Sequence, residues 1–370
     1  MKRKTQQTIA DKSFALNPSL KVIFCGEDEI LVMHGLRSSF NQTISDEGRT
    51  HLLGRVLRRM TSPTSLAGLC EEGVIDEDEL KDAEDLVSAL VAQGILTHPA
   101  ECPAVSYLNA AFGDGEHLSE ASVGIIGAGY LGSRVAEEFA RLGVGFVRIM
   151  DDRRVDNEDI DRSQFNFPSA QIEKGRPYVG CLSACLSNSG YDNVETFDES
   201  YNNKDALEDF FHCSDFVIAA AEVFSSHFFH TVDITAISIE KPWLSVFIDG
   251  SEACVGPIYV SGETCCYNEF EIQMEATLSV QQREYYTYKE EMNKIGLYSN
   301  HYVFPPYLNI AAGFVVGGVS SFMLSGISYL IGRCLRINFE KPYVDYEEVI
   351  KLPRSPASAD LRNGYRQTFM

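Results

Sequence analysis

The stretch Val123 to Asp152, VGIIGAGYLGSRVAEEFARLGVGFVRIMDD, reads as strand, glycine turn, helix, strand and terminal acid in one uninterrupted unit. Val123 to Ile126 is a short apolar run suited to a buried parallel strand, and Gly127, Gly129 and Gly132 follow it directly with G-x-G-x-x-G spacing. The first glycine permits the tight turn, the second lets backbone approach phosphate, and the third lets the helix pack on its strand. Ser133 to Leu142 continues as a helix whose N-terminal N–H groups face the phosphates, and Gly143 or Gly145 ends it. Phe146 to Met150 is the second strand. Asp151 closes it near the offset of about twenty residues at which an acid takes the ribose hydroxyls. The spacing predicts an α/β, Rossmann-like nucleotide cradle.

Around this unit, 370 residues allow two or three domains, and 45% apolar with 23% charged residues describes a soluble globular chain, not a disordered one. A formal net charge of -22 repels phosphate backbones. That argues against a nucleic-acid partner or an anionic membrane surface and favours a partner carrying basic residues. Ten cysteines are too dilute for a disulfide scaffold, and the start MKRKTQQTIADKS lacks an apolar signal core. A cytoplasmic location with reduced thiols is expected. Tyr302 to Gly332 carries no charge and is long enough to span a bilayer, but its glycines and serines make it weakly hydrophobic. It is expected to be a buried helix at a domain core or dimer interface, with no membrane contact.

The first hundred residues read as a separate module. Leu20 to Cys25 and Ile30 to Met33 form a hairpin around GEDE, and Thr50 to Met60, Ser65 to Cys70 and Asp76 to Gln93 are helical. Ile95 and Leu96 begin a closing strand. This order predicts a winged helix-turn-helix. Its third helix carries Asp76, Glu77, Asp78, Glu79, Asp82, Glu84 and Asp85 against Lys81 alone, so a peptide laid along a strand edge and helix groove fits better than DNA. The predicted organisation is 1–100 as a peptide-recognition domain, 101–118 as a linker, 119–352 as the nucleotide domain and 353–370 as a tail. Asn268 to Asn300 is expected to cover the substrate, offering Tyr285, Tyr286, Tyr288 and Lys289 as contacts.

The LKVIF strand and the terminal LVAQGILT resemble the peptide-recognition domain of enzymes that modify ribosomally made peptides. After Asp151, the run DDRRVDNEDIDRSQF resembles the D-x-D-x-V-x-x-x-N-L-x-R-Q signature of the ThiF/MoeB family, whose members bind ATP, not NAD. FVIAAAE at 216–222, KPWLSVFIDG at 241–250 and VGPIYVSGETCCY at 255–267 extend the resemblance in order. It implies a ThiF/MoeB-like adenylation domain in a homodimer. The activity implied is attack of a precursor-peptide carboxylate on the α-phosphate of ATP, with Mg2+ as cofactor. Loss of zinc ligands beside a recognition domain resembles the pantocin-type members, in which glutamate side chains are activated before cyclisation, more than the microcin C-type members, which adenylate a peptide C-terminus. A catalytically inactive peptide-binding subunit of the same fold is the alternative.

By this resemblance Asp151 binds the ribose, Arg162 clamps phosphate, and Asn157 with Asp159 lines the polar loop. Arg176 stands where the family has a lysine, with Lys174 as the competing point charge. Glu222 matches the family's magnesium-binding aspartate, one methylene longer. Arg153 replaces the family's second acid, and it and Arg154 also read as solvated loop charges. His227 and His230 lack a third ligand nearby. The two C-x-x-C pairs of the family are missing, since Glu269 follows Cys266 at the required spacing, so no zinc is expected. Cys265 and Cys266 read as a remnant of that knuckle or as nucleophiles.

Overall fold

The computed structural model describes residues 9–38, 41–112, 115–156, 172–222, 224–277, 282–295 and 304–352. It divides into two compact units, Met1–His117 and Leu118–Met370.

In the first unit, β1 (Ser13–Leu16) pairs antiparallel with both β5 (Thr64–Ser65) and β6 (Leu96–Thr97). A separate antiparallel meander joins β2 (Lys21–Phe24), β3 (Glu29–Met33) and β4 (Asn41–Ser45) in that order, with Lys21 opposite Met33 and Glu29 opposite Ser45. Helices α1 (Leu52–Arg59), α2 (Leu66–Glu71) and α3 (Leu80–Ala92) enclose a core that includes Ile30, Val32, Val56, Leu57, Leu66, Leu69 and Val87. Each such side chain contributes about 1.5–3 kcal/mol through its removal from water. The Ser65 hydroxyl caps α2 by accepting the Gly68 amide at 3.1 Å. Residues 103–112, expected within a linker, form helix α4 (Pro103–Phe112) instead. Proline is well placed at the first position of a helix, where its missing N–H costs nothing. Ala110 joins the core of this unit, and buried Asn17 ties the helix down by donating to Gly94 O at 2.8 Å and Ser106 O at 2.7 Å.

The second unit is built on one eight-stranded sheet, β14-β13-β12-β11-β10-β7-β8-β9. Its parallel half contains β7 (Ser122–Ile126), β8 (Phe146–Met150), β9 (Val194–Phe197), β10 (Phe216–Ala221) and β11 (Trp243–Asp249). The antiparallel half continues through β12 (Glu252–Tyr259), β13 (Arg333–Asn338) and β14 (Tyr343–Glu348). All residues of β7 and β10 are buried, as continuous apolar runs must be when helices cover both faces. Those helices are α5 (Tyr130–Arg141), α6 (Tyr178–Asn188), α7 (Lys204–Cys213), α8 (Ser226–Ile239), α9 (Tyr267–Ala276), α10 (Gln282–Ile295) and α11 (Pro305–Ser325). Phe210, Phe228, Phe229, Trp243 and Tyr267 fill the core beneath α8.

Strand order reverses between β7 and β10, which is where an open α/β sheet leaves a crevice at its carboxyl ends. α11 is long and apolar enough to cross a membrane, yet half of its most apolar window is buried inside this unit, where it packs on α5 and β12.

Candidate nucleotide site

The crevice is a half-open cleft lined by Gly127, Asp151, Arg153, Glu199, Tyr201 and Glu222, among others. Gly127 takes φ +104°, and a Cβ there would strike the Ala220 carbonyl. A Cβ on Gly132 would drive into the Gly127 carbonyl, and one on Gly129 would meet the Glu222 carboxylate. The three predicted glycines thus stand together as a cradle at the N-terminus of α5.

Asp151, at the end of β8, is buried with both oxygens engaged. Oδ2 accepts the Ala128 amide at 2.6 Å and Arg153 Nη2 at 2.7 Å, and Oδ1 accepts the Arg153 amide at 2.9 Å and Arg153 Nε at 3.0 Å. Burial pushes the Asp151 carboxyl up, but the Arg153 guanidinium and the two amides outweigh it and hold the group below its ordinary range. Arg153 also lies over the Tyr178 ring, 4.3 Å from its centroid. This arginine is therefore a fixed part of the cleft and not a solvated loop charge. Its one sequence signal is a pair of arginines directly behind a strand-terminal acid.

Glu222 follows β10 directly and reaches the start of α5, where its Oε1 accepts the Leu131 amide at 3.0 Å. Burial raises its carboxyl pKa, and Arg153 and the α5 amides offset only part of that rise. Glu222 thus places a carboxyl group on the helix N-terminus, where the aligned peptide dipoles favour its ionised form. Glu199 and Tyr201, which carry no recognisable motif, also line the cleft.

The other predicted site residues lie elsewhere. Lys174 is exposed, and Arg176 turns its Nη2 to Gly180 O at 3.3 Å; neither lines the cleft. Asn157, Asp159 and Arg162 lie outside the described residues. Arg154 pairs with Asp198 at 2.6 Å. His227 contacts Asn202 at 3.3 Å and His230 contacts Glu271 at 2.8 Å, so the two rings have separate partners. Among the described residues no group of three or more His, Cys, Asp or Glu is arranged to hold a metal.

Glu269 accepts the Cys266 amide at 2.7 Å and the Leu352 amide at 2.8 Å, so it closes the start of α9 where a thiolate was absent from the sequence. Cys265 is buried, which pushes its thiol up to about 12 and keeps it protonated at neutral pH. Beside it Asp233 accepts the Tyr267 amide at 3.1 Å, and burial raises its carboxyl to about 7.

The segment expected to meet substrate is mostly committed to its own unit. Tyr285 is buried, Lys289 bridges Glu271 and Glu275 at 2.9 Å each, and Tyr288 packs on Phe224. Tyr286 alone of the four is exposed, at 52%.

In the first unit a separate, open groove runs between edge strand β4 and α3. Ile44, Leu52, Leu53 and Leu86 form its apolar floor, and Asp46, Glu47, Glu79 and Asp82 its rim. Asp46 accepts from Thr50 at 2.6 Å and Glu79 pairs with Arg55 at 2.6 Å. Glu47 and Asp82 are exposed.

The sequence model of the ThiF family matches residues 107–349. No curated protein matches the chain in sequence. Solved structures share the fold. The microcin C7 biosynthetic enzyme MccB in complex with N-formylated MccA is 18% identical, with a TM-score of 0.62 over 94% of this chain and 99% of that one. E. coli MccB with ATP is 16% identical, with a TM-score of 0.61 over 93% and 99%. PaaA is 21% identical, with a TM-score of 0.56 over 73% of this chain and 92% of that one.

Proposed function

From the premise that this chain belongs to the ThiF family, we propose that it is an ATP-dependent enzyme that activates a carboxylate of a ribosomally made precursor peptide by adenylation. The observation that carries the reading is the glycine cradle with Asp151 and Glu222 at the switch point of the sheet. A phosphate placed on the α5 N-terminus meets backbone amides, and Gly129 lets it approach without a side chain in the way. The MccB structures with ATP and with MccA, a second chain in complex with the enzyme, support a nucleotide-dependent reaction on a peptide.

Within the cleft the roles follow from chemistry. Asp151 suits ribose hydroxyls as a double acceptor once its present partners yield. Glu222 is a hard oxygen donor beside the phosphate seat and fits Mg2+, which when bound neutralises phosphate charge. Arg162, Arg176, Lys174 and Asn157, which precede α6 in the chain, are proposed to contact the nucleotide. Adenylation makes pyrophosphate the leaving group, so the three cations would stabilise charge developing on it, with the Asn157 amide as a neutral donor.

The precursor is proposed to bind the groove of the first unit as an added strand on β4, its apolar side chains against Leu52, Leu53 and Leu86. This reading treats that unit as a winged-helix recognition domain. A glutamate side chain is the proposed target, with dehydrative cyclisation after activation, as in pantocin-type biosynthesis. A homodimer is supported by the half of the apolar α11 window left outside the core. A cytoplasmic location is supported by ten cysteines, all free thiols.

One observation favours a second reading, a non-catalytic peptide-binding subunit: the ribose acid is already paired with Arg153. Product analysis with MgATP and the precursor peptide separates the two. Peptide-dependent AMP and pyrophosphate with loss of water from the peptide support adenylation, ADP indicates phosphate activation, and no consumption of ATP supports the binding subunit.

A further inference from the structure

We propose that Arg153 is a phosphate-binding residue of this cleft that trades partners: without nucleotide it neutralises Asp151, and a bound nucleotide takes over the guanidinium and leaves Asp151 to the ribose. The inference rests on the reading of the cleft as an ATP site and names a residue within it. Family resemblance does not supply the role, because an acid stands at this position in the signature.

Three observations carry it. Among the described residues that line the cleft, Arg153 is the only cation, facing the carboxylates of Asp151, Asp152, Glu199 and Glu222. A polyphosphate entering that wall without a cation would meet like charge on every side. Next, the guanidinium is held in place from behind. Its centre stands 4.3 Å from the Tyr178 ring centroid, and its side chain is 18% exposed. Stacking of this kind fixes the plane of the fork and presets it for an oxyanion. Finally, Asp151 has no oxygen to spare. Five hydrogen bonds converge on it, and Arg153 donates four of them, one from its amide, two from Nε shared between the oxygens, and one from Nη2. A ribose hydroxyl can bind only by displacing part of this set. The side-chain bonds are the ones that can leave without unfolding the turn.

Carboxylate and phosphate are alternative partners of the same planar donor, and a polyphosphate offers more charge than one aspartate. Moving the guanidinium from Asp151 to phosphate thus keeps it paired throughout. The exchange couples recognition of the phosphate end of the nucleotide to recognition of its sugar.

The test is a ladder of adenosine, AMP and ATP, bound to full-length wild type, Arg153→Ala and Arg153→Lys and read by calorimetry, with thermal melting as the check on folding. Wild type should gain affinity from adenosine to ATP. Arg153→Ala should lose about 10- to 100-fold for ATP, the size of a charge-assisted pair, while adenosine binds equally or more tightly because Asp151 is released. Arg153→Lys should fall between, and it stands as the test if the alanine variant does not fold. An unchanged ATP affinity, or an equal loss for adenosine and ATP, would overturn the assignment and leave Arg153 as a positioning residue for Asp151. Wild type that binds no adenine nucleotide would overturn the ATP reading itself, a separate result from a normal wild-type ladder with an insensitive variant.

Discussion

The carboxylate of Glu222 accepts the amide of Leu131 at 3.0 Å, so a side chain from the end of one strand sits on the first turn of the helix that follows another. That seat is the one a phosphate needs. Glu222→Ala should therefore strengthen metal-free AMP binding by about two- to fivefold, the size of one anion at a helix N-terminus. It should at the same time abolish any gain in ATP affinity on adding Mg2+. Calorimetry with and without Mg2+ checks both. A variant that binds ATP with an intact magnesium response removes Glu222 from the metal site.

Two glycines separate folding from binding. The Cβ of Gly132→Ala would strike the Gly127 backbone carbonyl, and backbone cannot swing away, so a loss of about 1–3 kcal/mol is expected. The Cβ of Gly129→Ala would meet only the end of the Glu222 side chain, which can move. Its melting temperature should stay near wild type while nucleotide affinity falls at least tenfold. Paired melts and ATP titrations read the contrast.

Asp233 imposes a pH dependence on stability. Its carboxyl is raised to about 7 by burial, against an ordinary value of 3.8. The folded state therefore holds the proton more tightly than the unfolded chain. Stability from this group is complete below the ordinary value and is lost as pH rises toward about 7, at most about 4 kcal/mol in total. Asp233→Asn keeps an acceptor for the Tyr267 amide without the charge. Its melting temperature should exceed wild type at about pH 8 by several degrees, and the gap should close at about pH 4.

Glu271 acts in the opposite direction. Burial alone would raise its carboxyl, but His230, Ser226 and Lys289 together bring it down to about 2. The contribution is present above the ordinary value and fades as pH falls toward 2. Glu271→Gln should destabilise the protein at neutral pH by about 1–3 kcal/mol, since it removes the charged partner of His230 and one of the two charged partners of Lys289. Urea melts at neutral and acid pH should show the penalty shrinking with acid.

If the proposed peptide lies in the groove beside β4, the groove predicts what that peptide carries. Glu47 and Asp82 give it an acidic rim over an apolar floor. An extended peptide with lysine or arginine between apolar residues should bind it and weaken as salt rises. The double variant Glu47→Lys, Asp82→Lys should lose about tenfold in peptide affinity with ATP affinity unchanged. Fluorescence anisotropy with a labelled precursor measures it, and an unaffected double variant places the peptide elsewhere.

The cradle was legible because its constraints are local. A glycine turn between a continuous apolar run and an amphipathic helix leaves one arrangement, and Asp151 ends the next strand by count alone. β4 was missed because NQTIS is polar and half exposed along an edge, so it has no alternating pattern to read. Residues 103–112 read as linker because proline and glycines bracket them, although proline equally starts a helix. Arg153 was ambiguous since a charge after a strand reads alike in solvent or against a buried acid; only the Tyr178 ring and the Asp151 carboxylate decide it. Tyr285 and Lys289 were misplaced for the same reason: what Lys289 faces depends on Glu271 and Glu275 from another helix.

The pairing of Asp151 with Arg153 makes that corner of the cleft locally neutral in a molecule whose net charge is -22. The proposed nucleotide and peptide would consequently arrive under opposite long-range forces. An incoming polyanion must climb a repulsive field that ends only at short range, and a basic peptide is drawn down the same field. Added electrolyte screens both. It should quicken nucleotide arrival while slowing capture of the peptide, so the order in which the two partners load becomes a function of ionic strength.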